Sequence, residues 1–360
     1  MATRYILAPY VKAGIQHDTL YLGFGSIQRE FTDNAQMRAA LALADYWREP
    51  RPRSDALHFL THVIGMSEPN ATDLIAEFVA QRAVVVDGEI DTADRYSRHH
   101  LFYSMAGASP HKVQTRLRSR HALLLGCGGI GSVLATALAT TGVGRLTLVD
   151  DDIVEPSNLT RQFMFTERGV GSSKVALLST AIQLRFRDVK IQPISRAVRS
   201  MRDLEGLPHA DLIIVSADSP GIVGLVNQFC VKNAVPFVNV CYINDIAVWG
   251  PFVIPGETGC WSCQDILATP NGLDYESAAT ISMINARYQA PSFAPVNLLA
   301  SSLALLDISM YLGGYGSVKS LNKRIGLWTH DLHFEVQDCR RNPNCKICGG
   351  VQRGTAPIDE

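Results

Sequence analysis

The run Gly126-Cys127-Gly128-Gly129-Ile130-Gly131 constrains this chain more than any other stretch. His121 to Leu125 before it is apolar enough for a fully covered strand, and Ser132 to Thr141 after it carries an apolar helix pattern. The glycines are therefore expected at a strand-to-helix turn, where backbone can approach phosphate and the helix start offers free N–H groups and a positive dipole end. A second strand, Arg145 to Val149, ends at Asp150, about 20 residues on, where a carboxylate can accept from a ribose hydroxyl. The fold class that follows is α/β, Rossmann-like, with a mostly parallel sheet. Taken alone, the fingerprint favours nicotinamide or flavin.

The residues downstream change that expectation. Asn158-Leu159-Thr160-Arg161-Gln162 follows the acidic strand end, Lys174 closes Gly171-Ser172-Ser173-Lys174 before another helix, and a strand from Asp211 to Ser216 closes on Asp218. Two cations and a further carboxylate near the carboxyl ends of parallel strands suit nucleotidyl transfer: the cations offset charge on the phosphates and the carboxylate can hold Mg²⁺. Hydride transfer leaves a pyrophosphate intact and has little use for them.

A second signal is Cys260-x-x-Cys263 paired with Cys345-x-x-Cys348. Four thiolates in two such hooks are the ligand set of a closed tetrahedral zinc site, which has no open position for water and is therefore structural. Such a site pins the C-terminal segment back onto the domain. Cys127, Cys230, Cys241 and Cys339 read as small buried residues, and no disulfide framework is needed.

Arg95-Tyr96-Ser97-Arg98, the Gly126 to Gly131 loop, Asp150-x-Asp152, Asn158 to Gln162, Lys174, Ser216-Ala217-Asp218 and the paired cysteine hooks, in that order, resemble the ubiquitin-activating-enzyme superfamily that includes ThiF, MoeB and HesA. The resemblance covers about residues 95 to 350. Within it, Tyr242 to Pro251, Ser292 to Asn297 and Leu321 to Trp328 look most like the branch holding MccB, of microcin C maturation, and PaaA, of pantocin A biosynthesis.

The resemblance implies roles. Asp150 would bind the ribose, Asp152 would bind the nucleotide or only cap the loop, and Gly126, Gly128, Gly129 and Gly131 would meet the adenine side and phosphates. Arg161 and Lys174 would hold the triphosphate of ATP, Asn158 and Gln162 would order it, and Asp218 would carry Mg²⁺. Arg98 would reach the phosphates of a neighbouring subunit, which implies a homodimer. Relatives that form a thioester place a cysteine in the segment crossing the active site, yet Gln264 to Pro295 contains none, so covalent catalysis through a thiolate is not expected. The expected step is attack of a carboxylate, or a group activated like one, on the α-phosphate, with release of pyrophosphate.

The first 90 residues add a separate module. Tyr5 to Lys12 and Thr19 to Ser26 read as strands, Asp33 to Trp47 as a helix capped near Thr32 or Asp33, Ser54 to Ile64 and Ala71 to Arg82 as two more helices, and Val84 to Val86 as a closing strand. This order suggests a small winged-helix module over 1–90, followed by an acidic linker from Asp87 to Asp94. A DNA-reading module carries a basic face, whereas this one is rich in Asp and Glu, so nucleic acid is not an expected partner. The resemblance instead implies a peptide clamp, a RiPP recognition element holding a precursor peptide on a strand edge.

Formal net charge is −1, and no signal sequence is legible. The most apolar helix pattern, Pro295 to Leu312, is interrupted by Asn297 and Asp307 and reads as short of a bilayer span. No membrane partner is expected, and thiolates kept for zinc fit the cytoplasm. Asn271 to Ala290, rich in small and polar residues, reads as a mobile crossover loop. Three functions remain: an adenylating enzyme that modifies a ribosomally made peptide (P–N linkage of AMP in the MccB manner, or side-chain activation in the PaaA manner), an adenylyltransferase for a sulfur-carrier protein, and a non-catalytic Rossmann binder or NAD enzyme.

Overall fold

The computed structural model describes residues 2–91, 93–263 and 275–350. They divide into two compact units, Met1–Thr115 and Arg116–Glu360.

The first unit holds strands β1 (Arg4–Leu7), β2 (Ala13–Gln16), β3 (Thr19–Leu22) and β4 (Arg29–Phe31), helix α1 (Asn34–Tyr46), strand β5 (Arg51–Pro52), helices α2 (Arg53–His58) and α3 (Glu68–Ala80), strand β6 (Val84–Val86) and helix α4 (Ser97–Met105). Helix α5 (Pro110–Ser119) runs across the division. The strands form two three-stranded sheets, β5-β1-β6 and β2-β3-β4. Helix α1 starts where expected, because Asp33 Oδ1 accepts from the free N–H groups of Ala35 (3.0 Å) and Gln36 (2.9 Å). Its Ala39, Ala40 and Leu43 pack with Trp47, Leu60, Ile75 and Phe78 into one apolar core.

Two features depart from expectation. Strands β2, β4 and β5 were not legible, because Ala-Gly-Ile-Gln, Arg-Glu-Phe and Arg-Pro hold too few strand-forming residues to stand out. The helix expected from Ser54 to Ile64 is α2 followed by a π-helical turn, Phe59–Val63.

The second unit is built on an eight-stranded sheet. Its elements are β7 (His121–Leu125), α6 (Gly131–Thr141), β8 (Arg145–Val149), α7 (Lys174–Arg185), β9 (Lys190–Ile194), α8 (Met201–Glu205), β10 (Leu212–Val215), α9 (Ile222–Asn233), β11 (Phe237–Ile243), β12 (Ile246–Val253), α10 (Tyr275–Asn285), α11 (Ala294–Gly313), β13 (Lys323–Trp328) and β14 (His333–Asp338). The sheet order is β14-β13-β12-β11-β10-β7-β8-β9. Strands β11, β10, β7, β8 and β9 run parallel, and β12 to β14 are added antiparallel. Strand β7 is buried throughout, as a central parallel strand covered on both faces must be. The carboxyl ends of β7, β8 and β10 consequently lie side by side, with Leu125 opposite both Val149 and Val215.

Helix α11 corrects the sequence reading. Its 20 residues are long and apolar enough to pass for a bilayer span by length and composition. It is nevertheless a core helix: Asp307 is 1 % exposed and accepts from Trp249 Nε1 (3.1 Å) and from the backbone N–H groups of Lys319 (2.6 Å) and Ser320 (2.9 Å). A buried carboxylate satisfied by its own sheet and the following loop fixes the helix against them. The stretch read as a loop over 271–290 contains α10, and its residues 271–274 lie outside the described residues.

Candidate active site

The glycine turn is enforced by packing at three of its four glycines. A Cβ on Gly131 would stand 1.9 Å from the carbonyl oxygen of Gly126, and one on Gly126, whose φ is +91°, would stand 2.6 Å from the backbone nitrogen of Ala217. A Cβ on Gly129 would meet Asn297 Nδ2 at 2.3 Å. Gly128 differs: the nearest atom to its Cβ position is Gln162 Nε2 at an ordinary 3.7 Å. Packing does not require glycine there. The turn is tied to the end of β10 by Ser216, whose Oγ donates to the carbonyl of Gly126 (2.9 Å).

Asp150 leaves β8 beside this turn. Its Oδ2 accepts from the backbone N–H of Cys127 (2.6 Å) and its Oδ1 from that of Asp152 (2.8 Å). Burial holds its carboxyl above the usual range, opposed by these two N–H groups and by Lys174. Burial, and then the Asp150 carboxylate, push the Cys127 thiol well up, so Cys127 is a packed residue and no nucleophile.

Lys174 is the first residue of α7, where a cation opposes the helix dipole, and it is only 5 % exposed. Asp152 resolves both difficulties: its Oδ2 lies 2.8 Å from Lys174 Nζ, and its carbonyl accepts from the Lys174 N–H. The structure therefore brings the glycine turn, Asp150, Asp152 and Lys174 together. Asn158 is buried as part of a capping box in which its Oδ1 accepts from the Glu155 N–H (3.1 Å), holding the 3₁₀ turn Pro156–Thr160. Arg161 follows that turn and folds back on it, Nη1 donating to the carbonyl of Ser157 (2.9 Å). Gln162 is buried with its Oε1 unpartnered.

Asp218 follows Ala217, whose backbone meets the glycine turn, while Arg98 belongs to the first unit. Asp218 is exposed in the loop after β10 and is not among the carboxylates that gather, which are Asp150, Asp151 and Asp152, with oxygens within 4.8 Å of one another. Arg98 is exposed on the first turn of α4, in the other unit. Sequence reasoning missed Asp151, Ser216 and Asn297. Asp151 was legible as the middle of Asp150-Asp151-Asp152, whereas only the fold brings Asn297, on α11, to the glycine turn.

The cysteine hooks do converge. Cys260, Cys263, Cys345 and Cys348 place their Sγ atoms within 4.8 Å of one another, with Cys260–Cys345 at 3.7 Å, Cys260–Cys263 at 3.9 Å and Cys263–Cys348 at 3.3 Å. A tetrahedron with metal–sulfur bonds of about 2.3 Å has edges of about 3.8 Å, so the donor set fits zinc. Backbone N–H groups of Cys260 (3.3 Å) and Asn342 (3.4 Å) point at the Cys263 sulfur, as they would at a thiolate. Burial raises the Cys345 thiol, but the N–H groups of Cys348 and Ile347 outweigh it and bring it down to about 7. Burial also pushes Cys348 up to about 11.

Comparison with known proteins agrees with this geometry. Residues 96–347 match the ThiF family. The molybdopterin-synthase adenylyltransferase of Escherichia coli (strain K12) is 27 % identical over 236 residues, 66 % of this chain and 90 % of that protein. A solved structure of the microcin C7 biosynthetic enzyme MccB in complex with N-formylated MccA superimposes with a TM-score of 0.89 at 33 % identity, covering 96 % of this chain and 100 % of that one. E. coli MccB solved with ATP gives 0.88 at 32 % identity, over 96 % of this chain and 100 % of that one. PaaA shares the fold, with a TM-score of 0.67 at 18 % identity over 92 % of this chain and 99 % of that one. The chain belongs to the ThiF family and is an ATP-dependent adenylyltransferase.

Proposed function

We propose that this enzyme activates a ribosomally made precursor peptide by adenylation, in antibiotic biosynthesis of the microcin C or pantocin A type. The observation that carries this reading is the extent of the likeness to MccB: 96 % of the chain, including most of the first unit, against 66 % for the molybdopterin-synthase enzyme. The first unit also has a strand edge that suits a peptide: β4 is the outer strand of its sheet, paired with β3 on one side. A peptide strand added to that edge would hydrogen-bond along β4.

In the reaction, Asp150 accepts from the ribose while Gly128 lets the backbone come close to the phosphates. Lys174 and Arg161, swung from Asp152 and Ser157, balance the triphosphate charge, with Asn158 and Gln162 ordering the turn around it and Arg98 contributing from a second subunit of a homodimer. An oxygen of the substrate carboxylate, or of a group activated like one, forms a bond to the α-phosphorus. The bond from that phosphorus to the bridging oxygen breaks, and pyrophosphate leaves with the electron pair. Asp218 would hold Mg²⁺, which offsets charge on the leaving pyrophosphate. The four cysteines would hold a structural Zn²⁺, and reduced thiols of this kind suit the cytoplasm.

The test is ATP–pyrophosphate exchange on the full chain. Exchange that requires the cognate precursor peptide and disappears in Asp218→Ala supports the proposal. The curated relatives favour a second reading, activation of a sulfur-carrier protein. Exchange driven by a carrier ending in Gly-Gly, and not by the peptide, would establish that reading instead.

A further inference from the structure

Arg82 is the hub of a buried polar network in the first unit. It follows α3, and its backbone is left-handed at φ +58°, a conformation that a non-glycine residue holds only when its surroundings enforce it. The side chain reaches α4: Nε donates to the carbonyl of Ser104 (3.0 Å), Nη2 donates to Ser104 Oγ (2.9 Å), and Nη2 also pairs with the Glu89 carboxylate. Ser104 Oγ donates in turn to Glu89 (3.1 Å), and the Tyr10 hydroxyl donates to the Arg82 carbonyl (2.9 Å). Ser104 is fully buried, and the Glu89 side chain is 15 % exposed. The acidic stretch read as a linker is thus anchored at Glu89, and α4 is held to the end of α3.

One further fact gives this network a direction. Arg98 sits on the first turn of α4, and Ser104 on its last. The residue that grips Ser104 therefore also holds the helix that presents Arg98.

We propose that Arg82 is a positioning residue: it holds α4 so that Arg98 meets the triphosphate. This rests on the reading of Arg98 as a phosphate-binding residue. Removing Arg82 frees α4 without touching the nucleotide site itself, so the loss falls on the β- and γ-phosphates and not on the nucleoside.

The experiment measures dissociation constants of ATP and of AMP by calorimetry on the full-length chain, for the wild type, Arg82→Met, Arg98→Met and the double variant. Arg82→Met and Arg98→Met are each expected to weaken ATP by about tenfold and to leave AMP within about twofold, with the double variant no weaker than either. Unchanged AMP affinity certifies the fold. Ser104→Ala, which keeps the ion pair and the bond to the Ser104 carbonyl, should move ATP affinity in the same direction by less. Normal ATP binding in Arg82→Met alongside weak binding in Arg98→Met overturns the proposal alone. Equal loss of ATP and AMP, or additive losses in the double variant, also overturns it, reducing Arg82 to a fold determinant. Normal ATP binding in Arg98→Met removes the underlying reading of Arg98, and the proposal with it.

Discussion

The glycine turn and the thiol cluster lie in the same unit and are made by opposite means. The turn is a local device: six consecutive residues, a strand before and a helix after, with function residing in what the side chains leave out. The cluster is a long-range device whose halves are 85 residues apart in sequence, with function residing in four side chains that the fold must bring within bonding distance of one ion. A defect in the turn should therefore cost chemistry before architecture, and a defect in the cluster architecture before chemistry.

The largest expected effect tests the cluster. Stripping metal with a strong chelator, or making Cys260→Ser with Cys345→Ser, should lower the thermal midpoint by about 10 °C, read by calorimetry beside metal content. ATP affinity measured well below the new midpoint should hold; its loss there would break the contrast. Next comes Gly131→Ala, whose added methyl has no room against the Gly126 carbonyl. It should abolish ATP binding and cost about 3 kcal/mol of stability while zinc content stays unchanged. Lys174→Gln should then slow pyrophosphate exchange by about a hundredfold with little change in melting. The opposite outcome, a large loss of stability, would mean that its pairing with Asp152 serves the fold.

The smallest effect is the most specific. Because burial raises the Asp150 carboxyl, the stability this group contributes is fully present below its unfolded pKa and is lost as pH rises through the folded one. Asp150→Asn, whose single carboxamide oxygen can accept from only one of the Cys127 and Asp152 N–H groups, should bind ATP about tenfold more weakly. It should also lack the wild-type decline in ATP affinity as pH falls through the raised value. Unaltered ATP affinity would remove the ribose role.

The same contrast explains what was legible beforehand. The Gly126 to Gly131 turn, β7 and β8 could be read because apolar runs and glycines carry their meaning locally, and Asp33 announced α1 for the same reason. The cysteine hooks were readable because CxxC spacing encodes a ligand pair, even across 85 residues. Asn297 and Arg82 were not, since each acts through a partner chosen by the fold: Gly129 for one, Ser104 and Glu89 for the other. Helix α11 read as interrupted because Asp307 looks disruptive until Trp249 and Ser320 are seen to satisfy it. The role of Asp152 was similarly hidden: expected at the nucleotide by sequence, it is the counter-ion of Lys174 in space.

That last pairing bears on charge at the start of α7. Lys174 is 5 % exposed and has an acid 2.8 Å from its ammonium group, so the cost of burying that charge is offset within the chain. On the proposed reading of Lys174 as a triphosphate ligand, a phosphate oxygen would take the acid's place, and Asp152, whose side chain is largely exposed, could turn to water at little cost.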